Sequence, residues 1–166
     1  VYPAKTSPKY IRVVNTDFPY YGEYTITNRV NRGTWAVGEQ HGGAANGYCF
    51  YADGTVVPGL VTSVSTKAQI CSGQQMYFSA WVCNPNSDGG SGDNPVFRFN
   101  VQGRNKENGK WTDWENVGQF YTGAIAKGGK WYQVKFPIIS EKNYDESRVS
   151  IYNFAPTNSG NDFLVD

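Results

Sequence analysis

The 166-residue chain carries 15 basic and 14 acidic residues and a net charge of +1, and its length fits one domain with a sizeable core. No run of like charge supplies the basic patch that a nucleic acid or an anionic membrane surface calls for, so neither partner is expected. No stretch approaches the ~18–20 consecutive apolar residues of a membrane-spanning helix.

Nineteen glycines and eight prolines are spread along the chain, and charged residues make up only 17%; many short strands need many turns. Helical periodicity is missing, and period-two alternation takes its place. In chain order, Tyr24–Thr27 ends at Asn28, and Tyr48–Tyr51 runs into the turn Ala52-Asp53-Gly54. Gly59–Val64 and the long Gln75–Cys83 follow. The plainest run is Val96–Gln102, where Phe97, Phe99 and Val101 point one way and Arg98, Asn100 and Gln102 the other. Residues 108–115 read as a hairpin tip at Asn108-Gly109. Trp131–Phe136 stops at Pro137, Arg148–Phe154 comes next, and Phe163–Val165 is last. Residues 29–47 and 84–95 read as long loops. About nine or ten such strands closed over one core predict an all-β, two-sheet antiparallel sandwich, with a jelly roll favoured. The chain starts without Met and stops in an apolar segment, so the expectation is one module, residues 1–166, excised from a larger protein.

Cys49, Cys71 and Cys83 include no CxxC pair, and His41 is the single histidine, so a structural zinc site is not expected. Two arrangements stay open: three buried free thiols, or a Cys49–Cys71 bridge. Catalysis finds little support. Asp113 and Glu115 are the best carboxylate pair for glycan cleavage, but they lie at the hairpin tip, where carboxylates are usually solvated. Asp145 and Glu146 are adjacent and diverge in a strand. There is no GxSxG elbow, and His41, beside Gly42 and Gly43, reads as an exposed loop histidine.

A sugar ring presents apolar C–H faces and a rim of hydroxyls, so its sites combine aromatic platforms with amide or guanidinium groups. Trp81, Arg98, Asn100, Gln102 and Tyr152 all point away from their strands' apolar rows, and would form such a surface if the strands share a sheet. Trp35 is the exposed aromatic of the 29–47 loop, whereas Trp131 reads as structural. Trp81 could equally be packed. Trp111 and Trp114 lie near a turn, exposed or paired across strands. The polar row itself could be a plain solvated sheet face.

Gly22–Ile26, Gly47–Gly54, Cys71–Val82, Trp131–Pro137 and Asn161–Asp166 resemble galactose-binding-like jelly rolls. Their order is similar to carbohydrate-binding modules of the family 4/9/22 type and to related domains in surface proteins of gut Bacteroidetes. The resemblance implies a ligand on a sheet face or in loops at one end. It also implies a structural calcium near the chain ends, with Glu23, Asp53 and Asp166 as suspected ligands and Glu39 a weaker choice. The expected role is a non-catalytic, monomeric module that holds a larger secreted or cell-surface bacterial protein against a polysaccharide. The alternative is a structural or adhesive protein-binding domain with no sugar ligand. The absence of any N-x-S/T sequon fits a bacterial origin.

Overall fold

The alternation from Val96 to Arg104 becomes a nine-residue strand in which every second residue, from Phe97 to Gly103, is buried. A computed structural model describes residues 10–14, 19–20, 22–28, 41, 47–55, 57–89, 92–155 and 161–166. These form β1 (Ile11–Arg12), β2 (Glu23–Thr27), β3 (Cys49–Ala52), β4 (Gly59–Ser65), β5 (Gln75–Cys83) and β6 (Val96–Arg104). They continue as β7 (Lys106–Glu107), β8 (Lys110–Trp111), β9 (Glu115–Ala124), β10 (Trp131–Ile139), β11 (Glu146–Asn153) and β12 (Phe163–Val165).

One sheet has six strands in the order β1-β2-β3-β12-β5-β10; the other has four, β4-β11-β6-β9. All pairs are antiparallel except β1 with β2. The last strand therefore lies inside the larger sheet, between β3 and β5. The expected all-β sandwich is the fold observed.

Aromatic rings join the two sheets. Phe97 and Phe99 of β6 meet Phe163 of β12 and Phe78 of β5, with centroids 4.9 and 5.0 Å apart. Phe120 of β9 stacks on Phe136 of β10 at 4.6 Å. Ala52, Val61, Val82 and Val165 fill in around them. Edge and offset contacts of this kind add to the burial of apolar area, the main favourable term in folding.

Two expectations need correction. Pro137 does not end its strand: β10 runs on to Ile139, with Pro137 paired to Tyr77. β10 is an edge strand, where a missing N–H can face outward without breaking the ladder. The second is β9, which was not anticipated at all; its glycines and polar residues blur the alternation, and its pairing with β6 shifts register twice. The Asn108-Gly109 hairpin is observed between β7 and β8. Both turn residues have positive φ, 50° and 79°, as a tight two-residue hairpin turn demands.

The Asp53-Gly54 turn is locked to the segment leading into β12. The Gly54 N–H donates to Asp162 Oδ1 at 3.0 Å, and Asn161 Nδ2 donates to the Thr55 carbonyl at 2.8 Å. Gly54, Asn161 and Asp162 are all buried.

The cysteines are free, Cys49 and Cys83 buried and Cys71 exposed. The bridge to Cys71 is not formed, and Cys71 departs from the expectation of burial because it sits at the turn before β5. Burial pushes the Cys49 and Cys83 thiols up to about 12. Because the thiolate is the reactive species, a disulfide reagent added to the native protein should titrate Cys71 alone. All three should react in denaturant; prompt native reaction of Cys49 or Cys83 would contradict their burial.

Candidate functional site

The outward face of the four-stranded sheet gathers most of the residues singled out in the sequence. Three strands present them in rows fixed by register. Tyr152 of β11, Arg98 of β6 and Tyr121 of β9 stand side by side; Ser150, Asn100 and Gln119 form the next row, and Arg148, Gln102 and Asn116 the third. Glu146 faces Arg104 beyond them. β4 adds Leu60, Ser63 and Ser65 opposite Tyr152, Ser150 and Arg148.

Aromatic groups stand at one end. The Arg98 guanidinium carbon lies 4.1 Å from the Tyr152 ring centroid and 4.6 Å from that of Phe154. Tyr121 meets Phe154 edge-on at 6.0 Å and is 51% exposed. The middle is polar. Gln102 Oε1 accepts from Arg148 Nε at 2.8 Å and from Ser150 Oγ at 3.3 Å, and Ser150 shares a hydroxyl contact with Ser63 at 2.8 Å. Gln119 Nε2 donates to the Tyr121 hydroxyl at 2.9 Å.

Two atoms in this region, Arg98 Nε and Asn100 Oδ1, are buried without a hydrogen-bond partner. Each such atom costs about 1–3 kcal/mol. Functional faces are common places to find that cost.

At the other end, tryptophan and arginine interleave. Arg104 lies over Trp111 at 4.5 Å and over Trp114 at 4.4 Å, while Arg148 covers Trp114 at 4.3 Å. Trp111 is 45% exposed. Arg104 Nε donates to Glu146 Oε2 at 2.7 Å, within an ion pair. An open recess of about 390 Å³ sits here, lined by Lys67, Arg104, Trp111, Asp145 and Glu146.

The hydrogen bond from Ser65, and then Arg104, hold the Glu146 carboxyl below the usual carboxylate range. A depressed folded value adds stability above the unfolded pKa, and that stability disappears as pH falls through the folded value. Acid denaturation should accordingly be less steep below pH ~4 in Glu146→Gln than in the unaltered protein. Identical acid limbs in the two proteins would contradict the assignment.

Trp81 does not belong to this face. β5 lies in the six-stranded sheet, and Trp81 points from that sheet's outer side, the side of Cys83 and opposite Ala80 and Val82. His41 stacks on it at 3.9 Å and meets Trp131 edge-on at 5.7 Å. This corrects the expectation that Trp81 shares a surface with Arg98, and the reading of His41 as a loose, exposed side chain. Trp131 packs against Cys49, Tyr51, Cys83 and Leu164, the structural role expected of it. Trp35 and Glu39 lie outside the described residues.

The carboxylates suspected of holding calcium are only partly brought together. Glu23 and Asp53 adjoin through the Asp53 N–H to Glu23 carbonyl bond. Asp166 bonds instead to the Trp81 backbone, beyond the far end of β12; Asp162, missed in the sequence, is the one beside Gly54. Among the described residues no three His, Cys, Asp or Glu side chains converge as a metal site.

Of the suspected catalytic pair, the partners of Glu115 are defined. Glu115 Oε2 accepts from Lys142 Nζ at 2.8 Å and from the Tyr144 hydroxyl at 2.9 Å. These partners hold its carboxyl below the ordinary range, the wrong direction for a general acid. Asp145 accepts the Lys106 N–H at 2.9 Å and Glu146 pairs with Arg104, so each has its own partner, yet both line the same recess rather than diverging as expected.

No family model and no curated protein matches the chain. Among solved structures, the chain is similar to the N-terminal CBM22-1–GH10 modules of Clostridium thermocellum endo-1,4-β-D-xylanase 10B, complexed with xylohexaose. The TM-score is 0.43 and the identity 13%, over 86% of this chain and 23% of that one. The chain thus spans less than a quarter of that protein's length.

Proposed function

We propose that this domain is a non-catalytic carbohydrate-binding module whose ligand lies across the outer face of the four-stranded sheet. One observation carries the reading: Arg98, Asn100, Gln102 and Tyr152 share a face with exposed aromatic rings at both ends and amides between them. Rings such as Tyr121 and Trp111 suit the apolar faces of sugars, and Gln102, Gln119 and Asn116 suit their hydroxyls. From Arg98 to Arg104 is six residues, about 20 Å of strand, room for several sugar units. The β9 side of the face, with Asn116, Gln119 and Tyr121, is exposed, which suits a polymer passing through more than a buried monosaccharide. The module would hold a larger secreted or cell-surface protein against its polysaccharide.

A glycan-array screen of the purified domain, followed by affinity electrophoresis on the polymers it retains, tests the proposal. Tyr121→Ala is expected to weaken binding about tenfold, since a lost aromatic stacking contact is worth on the order of 1–1.5 kcal/mol, while leaving the melting temperature nearly unchanged. Running the screen with calcium and with a chelator tests in the same experiment whether the domain holds the structural calcium that the resemblance implies. A folded sample that binds no glycan in either condition would sink the reading in favour of a structural or adhesive domain.

A further inference from the structure

We infer that the sugar chain taken by this face is acidic: a polysaccharide bearing uronate carboxylates. The inference rests on the carbohydrate-binding reading above and specifies the ligand's chemical class. Three guanidinium groups, those of Arg98, Arg104 and Arg148, stand on one sheet face of a protein whose net charge is only +1. Among the described residues, only Arg104 meets a carboxylate there, that of Glu146. Arg148 donates to the neutral amide of Gln102, and Arg98 lies over the Tyr152 and Phe154 rings, neither ion-paired with an acid of the described residues. Lys67 and Lys106 add positive charge at the Arg104 end, against Asp145.

Two cations uncompensated by acids, on a face otherwise made of amides, hydroxyls and rings, call for an anion carried by a sugar. The aromatic rings hold the guanidinium planes in fixed orientations, and a guanidinium fork matches a planar carboxylate with two parallel hydrogen bonds. The sugar's ring hydroxyls would meet the face's polar side, where the Asn116 and Gln119 amides are exposed beside Gln102 and Asn100. The planar, two-oxygen fit to a guanidinium favours the uronate carboxylate, and the ring hydroxyls it keeps suit the amides beside it.

The test compares polygalacturonate, alginate and glucuronoxylan with their carboxyl-reduced, neutral counterparts, using λ-carrageenan as a sulfated polymer without uronate. At least one uronate polymer should bind at least about tenfold more tightly than its reduced form, the ratio expected when charge-assisted hydrogen bonds are lost. That preference should shrink as salt rises, because exposed charges are screened. Arg98→Gln combined with Arg148→Gln should remove the preference, Arg98→Lys should restore part of it, and unchanged melting temperatures would show that the variants fold.

Equal binding of acidic and reduced polymers, or binding of neutral glycans alone, would overturn the inference and leave the module reading standing. Binding of λ-carrageenan with no uronate polymer bound would overturn it in favour of sulfate. Absence of binding to every glycan would bring down both.

Discussion

Phe99→Ala is expected to cost about 3–5 kcal/mol, the usual range when a buried aromatic side chain is truncated to alanine. Phe99 has no exposed surface and touches both sheets. Its ring lies 5.0 Å from that of Phe78, and 6.1 Å from those of Phe97 and Phe136. Because β-strands hold these neighbours in register, they cannot slide inward, and most of the vacated volume should persist as a cavity. The loss is large beside a typical total stability of about 5–15 kcal/mol. Urea denaturation followed by tryptophan fluorescence measures it, and Phe99→Leu should lose less because it leaves a smaller void. A loss below ~1 kcal/mol for the alanine variant would mean that the sheets can collapse onto the gap.

Gly54→Ala should be comparably damaging for the opposite reason, too much volume. A methyl group at Gly54 would land on the Asn161 side-chain amide and within 2.6 Å of the Asn161 carbonyl oxygen. To make room, Asn161 must withdraw, breaking its bond to the Thr55 carbonyl, and the Gly54 link to Asp162 is strained with it. Overpacking costs about 1–3 kcal/mol, and a buried polar group left without its partner costs a similar amount, so about 3 kcal/mol or more is expected. The same denaturation curves report it. In a double-mutant cycle, Asn161→Ala should absorb part of the penalty; strict additivity of the two losses would show that the side-chain clash is not the cause.

The strands and the direction of their side chains were legible because a strand's period is local. Phe97, Phe99 and Val101 against Arg98, Asn100 and Gln102 can be read without knowing any partner. Which strand lies beside which is a non-local fact, and there the reading failed. Trp81 alternates as cleanly as Arg98, yet β5 joins the other sheet, so the two are on opposite sides of the molecule. Tyr152 and the Arg98 row did come together, because β11 pairs with β6. Tyr121 was missed along with β9, whose Gly118, Gly123 and register shifts hide its period. Trp114 was noticed, but its place between Arg104 and Arg148 depends on where the hairpin folds back, which spacing alone does not tell. The resemblance points to Asp166 as a metal ligand, whereas the Gly54 N–H bond brings Asp162 to the turn beside Asp53.

The interior position of β12 also constrains the order in which the protein can be made. β3 and β5 leave a vacant lane between them that only residues 163–165 fill, with Phe163 reaching back to Ala52. A chain emerging from the ribosome cannot close its larger sheet until residues 163–165 are free, and until then two strand edges stand open to other chains. Closing so long a loop comes before any reward from the contacts it makes, which places folding on the slow, millisecond-to-second side expected of β-sandwiches.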